Sequence, residues 1–303
     1  MDMEALTLPD NIKVHYAGAE VMNQYMAFNT LGVRYSLYTA FPFVERMIFD
    51  KYSSPLMPLD FQKKDPIDLI PKYIISTSKH TIQDSGLFTL MFGSLKGKKD
   101  EQLINRWYDN LVQFTLDHAP GVTCVEVDCQ KVLNPEKAWD FRYRMKEDLA
   151  GHRIINVFHI EDGIKGLDRM IEFSEYIAIS VPELRIAGKT SFVPALARYI
   201  KKKKPSIDIH LLGCTEQKLL RQCRFCTSCD STTYTAAKRY GFLKGNHVRR
   251  ILTDKIIDLI GVDKYNKIRT CNGEKGTNSC VLSIEYYKRI YQKVAGEQDY
   301  YQS

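Results

Sequence analysis

No uninterrupted apolar run in this chain is long enough to cross a bilayer, which excludes a protein built on membrane-spanning helices. A secretory leader would open on basic residues followed by an apolar stretch, whereas MDMEALTLPD opens on acids and a proline. The expectation is therefore a cytoplasmic protein, in the host cytoplasm if phage-encoded, with no membrane partner. No GxGxxG follows an early strand, so a doubly wound dinucleotide-binding sheet lacks its usual support. Internal repeats, low-complexity tracts and clear linkers are missing as well, which speaks against a solenoid or a string of modules.

What is present suits one large core. The 303 residues are 44% hydrophobic and 26% charged, the balance of an ordinary globular protein. Lys and Arg number 43 against 36 Asp and Glu, a net charge of +7. That modest excess suits a polyanionic partner without requiring one. The eight cysteines, without a secretion signal, should be mostly reduced thiols, some buried and some able to bind metal.

Eight short β-branched and aromatic runs recur along the chain, at 14–17, 33–38, 81–83, 123–127, 154–158, 176–180, 207–212 and 227–231. Helical spacing of apolar residues fills the gaps, for example at 100–118, 167–173, 193–203 and 216–222. Strands that alternate with helices pair in parallel through right-handed crossovers, and eight such units close a barrel. The predicted fold is α/β: a (β/α)₈ TIM barrel over residues 1–250, with a helical C-terminal extension over 251–303 packed on it. A proline-bearing segment at 53–72 reads as an inserted loop. The extension should run as a helix at 248–260, a Gly/Asn-rich turn at 272–278 and a Tyr-rich helix at 284–294.

Active sites of such barrels form where strands end and βα loops begin. Asp84 ends the third run in HTIQDSGLFT, and Asp128 ends the fourth in CVEVDC. His159 ends the fifth in NVFHIEDG, Glu183 follows the sixth in AISVPELR, and Asp230 ends the eighth in CTSCDSTTY. Any one of them could be a turn former or helix cap. Together at one rim they read as a site. Two carboxylates in different surroundings can divide labour, one ionised as nucleophile and one exchanging protons, as at an anomeric carbon. A further carboxylate suits guanine, whose N1–H and N2–H donors it can accept together.

These motifs resemble the tRNA-guanine transglycosylases, most closely the phage and bacterial branch that inserts 7-deazaguanines into DNA. The six stretches DSGLFT, EVDC, NVFHIEDG, AISVPE, HLLGCTEQKLL and CDSTTYTAAKRYG follow the family's order over residues 12 to about 245. The resemblance implies Asp230 as the nucleophile on C1′ and Asp84 as general acid/base. It implies base contacts from Ser85, Phe88, Asp128, His159, Glu183 and Leu212, with Phe88 stacking and Asp128 reading the guanine edge. It also implies backbone contacts near Arg239 and Gly241. The partners implied are DNA, alternatively tRNA, and a 7-deazaguanine base such as preQ0, the base being unpaired or flipped to reach the pocket. Leu87, Thr89, His159 and Pro182 depart from the family pattern, and its Cys-x-Cys-x-x-Cys zinc signature is absent. No RNA-binding domain of the archaeal kind follows, so the DNA-acting branch is favoured.

Cys223, Cys226 and Cys229 form a C-x₂-C-x₂-C that can seat zinc if Cys214, His247, Cys271 or Cys280 joins. The other reading is a set of reduced core thiols. KKKK at 201–204 ends a helix on the face away from the site and complements its dipole. Lys96, Lys98, Lys99 and Lys238, on the site's side, are better phosphate contacts, with a solvated loop as the alternative. His15 and Tyr16 read as barrel filling, with pocket lining as the alternative, and Trp107 and Trp139 as packing. Three other readings stay open: a tRNA-guanine transglycosylase, a noncatalytic nucleic-acid-binding partner subunit, and a barrel glycosidase unrelated to nucleic acid.

Overall fold

Each apolar run pairs with the next in chain order, always in parallel, and the last returns to the first. The strands are β1 Lys13–Ala17, β2 Tyr35–Thr39, β3 His80–Asp84, β4 Thr123–Val125, β5 Arg153–Phe158, β6 Tyr176–Ser180, β7 Asp208–Leu212 and β8 Ser228–Ser231. This closed barrel with its alternating helices is the (β/α)₈ architecture. The structure is a computed structural model that describes residues 12–49, 69–91, 100–214, 216–243, 246–247 and 252–295. No helix among them is long and apolar enough to cross a membrane.

Period-two alternation explains the two cores. Inward residues Ala17, Leu37, Ile82, Val125, Ile155, Val157, Tyr176 and Ala178 fill the barrel, while the larger cluster packs between strands and helices. The interior is not wholly apolar. His15 Nε2 lies 2.8 Å from His80 Nδ1, and His80 Nε2 lies 2.9 Å from Thr123 Oγ1. Burial holds the pKa of His15 well below the usual histidine value and that of His80 at about 4, so both are neutral rings sharing hydrogen bonds. His15 therefore fills the barrel, as expected. Tyr16 faces outward instead, edge-on to Phe28 and Tyr291.

Outside the barrel, Glu126 and Arg142 form a buried ion pair, 2% and 1% exposed. Arg142 Nε donates to Glu126 Oε2 at 2.9 Å and its Nη2 to Oε1 at 2.9 Å, and Asn156 Nδ2 adds a bond at 2.6 Å. The pair sits where β4 stops short of the expected 123–127. Beyond Val125 the Glu126 amide still donates to the Ile155 carbonyl of β5 at 3.0 Å, and then the Asp128 and Cys129 amides bond two residues back, to Glu126 and Val127, so the chain turns away there. Trp107 stacks on Phe41, and Arg142 and Arg169 lie over Trp139, which makes both tryptophans packing residues.

The C-terminal stretch departs from expectation in two places. Its first helix, Thr253–Ile260, starts later than residue 248, which lies outside the described residues. The turn expected at 272–278 shrinks to Gly273, at φ 64° and ψ 171°, within a helical run Val262–Ala295. Helix resumes at once because Thr277 Oγ1 donates to the Gly273 carbonyl at 2.6 Å and Asn272 Nδ2 anchors to the Asn23 carbonyl at 2.9 Å. The run braces the segment after β8: Ser283 Oγ donates to the Tyr234 carbonyl at 2.5 Å and Tyr291 to Ser231 Oγ at 3.0 Å. A small hairpin, Phe242–Leu243 with Asn246–His247, was not expected. Of the inserted loop at 53–72, residues 53–68 lie outside the description, and the rest begins a helix, Leu69–Thr77.

The lysines at 201–204 are tied to the fold. Lys201 Nζ donates to the carbonyls of Pro205 and Ile207, and Lys204 Nζ to that of Ser174.

Glu126→Ala leaves the Arg142 guanidinium buried and unpaired, which should destabilise the protein by about 3–5 kcal/mol in urea unfolding. An unchanged midpoint and slope would mean that this pair contributes nothing.

Candidate active site

The C-terminal ends of β3 to β7 open into a cleft of about 860 Å³. Its walls include Asp84, Ser85, Phe88, Asp128, His159, Glu183 and Leu212, all singled out in the sequence, together with Glu126, Lys131, Glu161, Pro182 and Ile186. Asp230 is not part of this lining. It stands at the end of β8, 9% exposed, within electrostatic reach of Asp84.

Asp84 is both a turn former and a site residue. Its Oδ1 accepts from the Gly86 amide at 2.8 Å and from Thr39 Oγ1 at 3.4 Å, which folds the chain back over the strand end. Gly86 permits this turn at φ 74°, and a Cβ there would meet the Phe41 backbone nitrogen at 2.7 Å. Trp107 Nε1 donates to the Ser85 carbonyl at 2.9 Å and fixes the next residue. Burial raises the Asp84 pKa against the pull of the Gly86 amide, and the charges of Asp230 and Asp128 raise it further. A carboxyl in this position holds its proton more readily than a solvated one.

Asp230 has a different setting. Its Oδ1 accepts from the Gly213 amide at 2.6 Å and faces His210 Nε2 at 3.2 Å. His210 Nδ1 in turn lies 2.5 Å from Ser228 Oγ, which sits 2.5 Å from the Tyr176 hydroxyl. Ser228 donating to Nδ1 leaves Nε2–H aimed at Asp230, so the ring supports the carboxylate. Gly213 carries φ 60°, and a Cβ there would press on Pro182 Cγ at 2.8 Å. Both bonds fall on Oδ1, so among the described residues Oδ2 is the oxygen without a hydrogen bond.

Across the cleft lies a chain of charges. His159 Nε2 is 2.8 Å from Asp128 Oδ1, and its Nδ1 is 2.9 Å from Glu183 Oε2. Two carboxylates can satisfy both ring nitrogens only if both carry protons. Burial opposes that charge, but the bonds to Asp128 and Glu183 outweigh it and lift the His159 pKa to about 10. Burial likewise opposes ionisation of Glu183, yet bonds from His159 and Lys131 bring it down to about 2. Lys131 bridges Glu161 at 2.7 Å and Glu183 at 3.0 Å.

His159, Glu161 and Glu183 bring their ligand atoms within 4.8 Å of one another, a group that could hold a metal ion. The donor set fits poorly. A doubly protonated imidazole has no lone pair to give, and the Lys131 ammonium already takes the cation's place between the two glutamates. Of the two readings open for Cys223, Cys226 and Cys229, the structure shows free, fully buried thiols in the apolar core, which among the described residues do not form a three-ligand group. Burial pushes Cys226 and Cys229 well above the usual thiol value.

No family model and no curated protein matches this chain.

The expected nucleic-acid contacts are only partly described. Lys96, Lys98 and Lys99 lie outside the described residues, as does the Lys238 side chain. Arg239 is exposed on helix Ala236–Tyr240, and Gly241 ends that helix in the left-handed region. Lys131, His210 and Glu20 are among the participants that were not singled out in the sequence. Lys131 and His210 are single residues whose roles depend on partners far away in sequence. Glu20, three residues past β1, accepts from the Thr39 amide at 3.2 Å, and burial lifts its carboxyl to about 7, with the Asp84 charge adding to the rise. Its position at a strand end was the available signal.

The His159 charge has a linkage consequence. A folded pKa raised above the unfolded value gives stability that is complete below about pH 6.5 and lost as pH rises through about 10. The stability gap between wild type and His159→Gln should therefore narrow over that window in urea titrations. A gap independent of pH would show a neutral ring.

Proposed function

We propose that this protein is a guanine transglycosylase that exchanges guanine in DNA for a 7-deazaguanine base through a covalent glycosyl-enzyme on Asp230. The observation that carries the reading is the pair Asp84 and Asp230 at the ends of β3 and β8. One carboxyl is half-buried and disposed to hold a proton, and the other is gripped by one oxygen with the second left open. That is the division of labour exchange at an anomeric carbon needs.

In this mechanism Asp230 Oδ2 attacks C1′ as the C1′–N9 bond breaks. Asp84 gives its proton to the departing guanine and is left as a carboxylate. The incoming base then attacks C1′ through N9, its proton passing to Asp84, and Asp230 is released. Both half-reactions use the same two groups, so the cycle closes without another reagent. Asp128, held through Oδ1 by His159, turns Oδ2 toward the N1–H and N2–H edge of the base. Phe88, 75% exposed at the mouth, offers a ring for stacking, and Leu212 closes the opposite wall. DNA is favoured over tRNA by the departures from the tRNA-acting pattern, and the net charge of +7 suits either polyanion.

The test is release of labelled guanine from DNA and from tRNA with preQ0 supplied. Wild type should release it from DNA, and Asp230→Ala should lose the reaction by a factor on the order of 10⁴ or more while still binding DNA. Full activity in Asp230→Ala would refute the mechanism, and release from tRNA alone would reassign the substrate.

A further inference from the structure

The helix that follows β6, Val181–Ile186, ends in a turn with an apolar tip and cationic flanks. All of Arg185, Ile186, Ala187, Gly188 and Lys189 are exposed, and Ile186, at 90%, is the most exposed large hydrophobic residue among those described. The turn is stiff. Gly188 takes φ 68°, its amide donates to the Arg185 carbonyl at 3.1 Å, and the Lys189 amide donates to Leu184 at 2.7 Å. Those two bonds make a Schellman end, anchored by the buried Leu184. Ile186 is thus held away from the core, and its β-branch leaves it few rotamers.

Its place gives the exposure a meaning. Ile186 lines the mouth of the cleft, as does Phe88. Inside, Asp84, Asp128, Glu161 and Glu183 outnumber Lys131 and His159, so a phosphate is repelled from the interior and drawn to cations outside it. Arg185 and Lys189 are such cations.

We propose that Ile186 is a wedge that enters the base stack of a DNA strand beside the nucleotide withdrawn into the cleft, while Arg185 and Lys189 hold the flanking phosphates. The proposal rests on the transglycosylase reading, because a base processed in this cleft has to leave its stack. The vacated step is apolar and the height of a side chain, and an aliphatic group filling it offsets part of the lost stacking.

The experiment uses the full-length protein, a DNA duplex with 2-aminopurine next to the target guanine, and the matching single strand. Wild type should brighten the 2-aminopurine on binding the duplex. Ile186→Ser should lose most of that rise, and its ratio of duplex to single-strand exchange should fall about tenfold or more, since only a stacked substrate needs the wedge. Ile186→Leu should keep both. Replacing Arg185 and Lys189 together by Ala should lower the salt dependence of DNA binding by about two charges. The inference is overturned if Ile186→Ser keeps the brightening and the ratio. It is equally overturned if wild type is a dimer that Ile186→Ser dissociates, for the tip is then a subunit contact. A wild type that brightens the duplex through Ile186 yet exchanges no guanine in either substrate refutes the transglycosylase reading and leaves the wedge standing.

Discussion

Two carboxylates at one poorly solvated rim cannot both ionise without cost, and the site depends on that constraint. Asp84 and Asp230 lie within reach of each other's charge, so whatever stabilises one anion favours the proton on the other. The two carboxyls are held differently. The Gly213 amide and His210 both address Oδ1 of Asp230, and Asp84, half-buried and within reach of the charges of Asp230 and Asp128, is pushed toward the acid form. This difference in surroundings is what the proposed division of roles rests on.

Much of the surrounding fold serves to hold those two oxygens. Barrel closure of β8 on β1 and β7 sets Asp230 against His210 and Gly213. The Gly86 turn and Trp107 fix the loop after Asp84. The Val262–Ala295 run, through Ser283 and Tyr291, stiffens the chain just past Asp230. On the far wall, His159 acts less as a catalyst than as a charged strut, holding Asp128 on one side and Glu183 on the other.

The barrel was legible because its signal is local. All eight strands fall within a few residues of their apolar runs, and helix Val193–Lys203 matches its expected span. Asp84, Asp128, His159 and Glu183 were legible for the same reason, since a strand end in a parallel barrel has one rim to occupy. What escaped depended on distant partners. Nothing near Lys131 announces that it will sit between Glu161 and Glu183, and nothing near His210 says that Ser228 and Tyr176 will set its tautomer. The cysteine spacing left zinc and core thiols both open for the converse reason: it is a local pattern that also arises when core thiols line a strand and the loop before it. The Gly/Asn-rich stretch near residue 273 misled because side-chain bonds let helix resume after a single left-handed residue.

The central claim is that Asp230 becomes covalently bound to the sugar. Its most direct test is to incubate the protein with a guanine-bearing DNA oligonucleotide, quench in acid, digest, and locate any nucleotide adduct by mass spectrometry. The account predicts an adduct on the peptide holding Asp230 that disappears when an excess of 7-deazaguanine base is added before the quench. Guanine exchange with no adduct, or an adduct carried by Asp84 or Asp128, would contradict it.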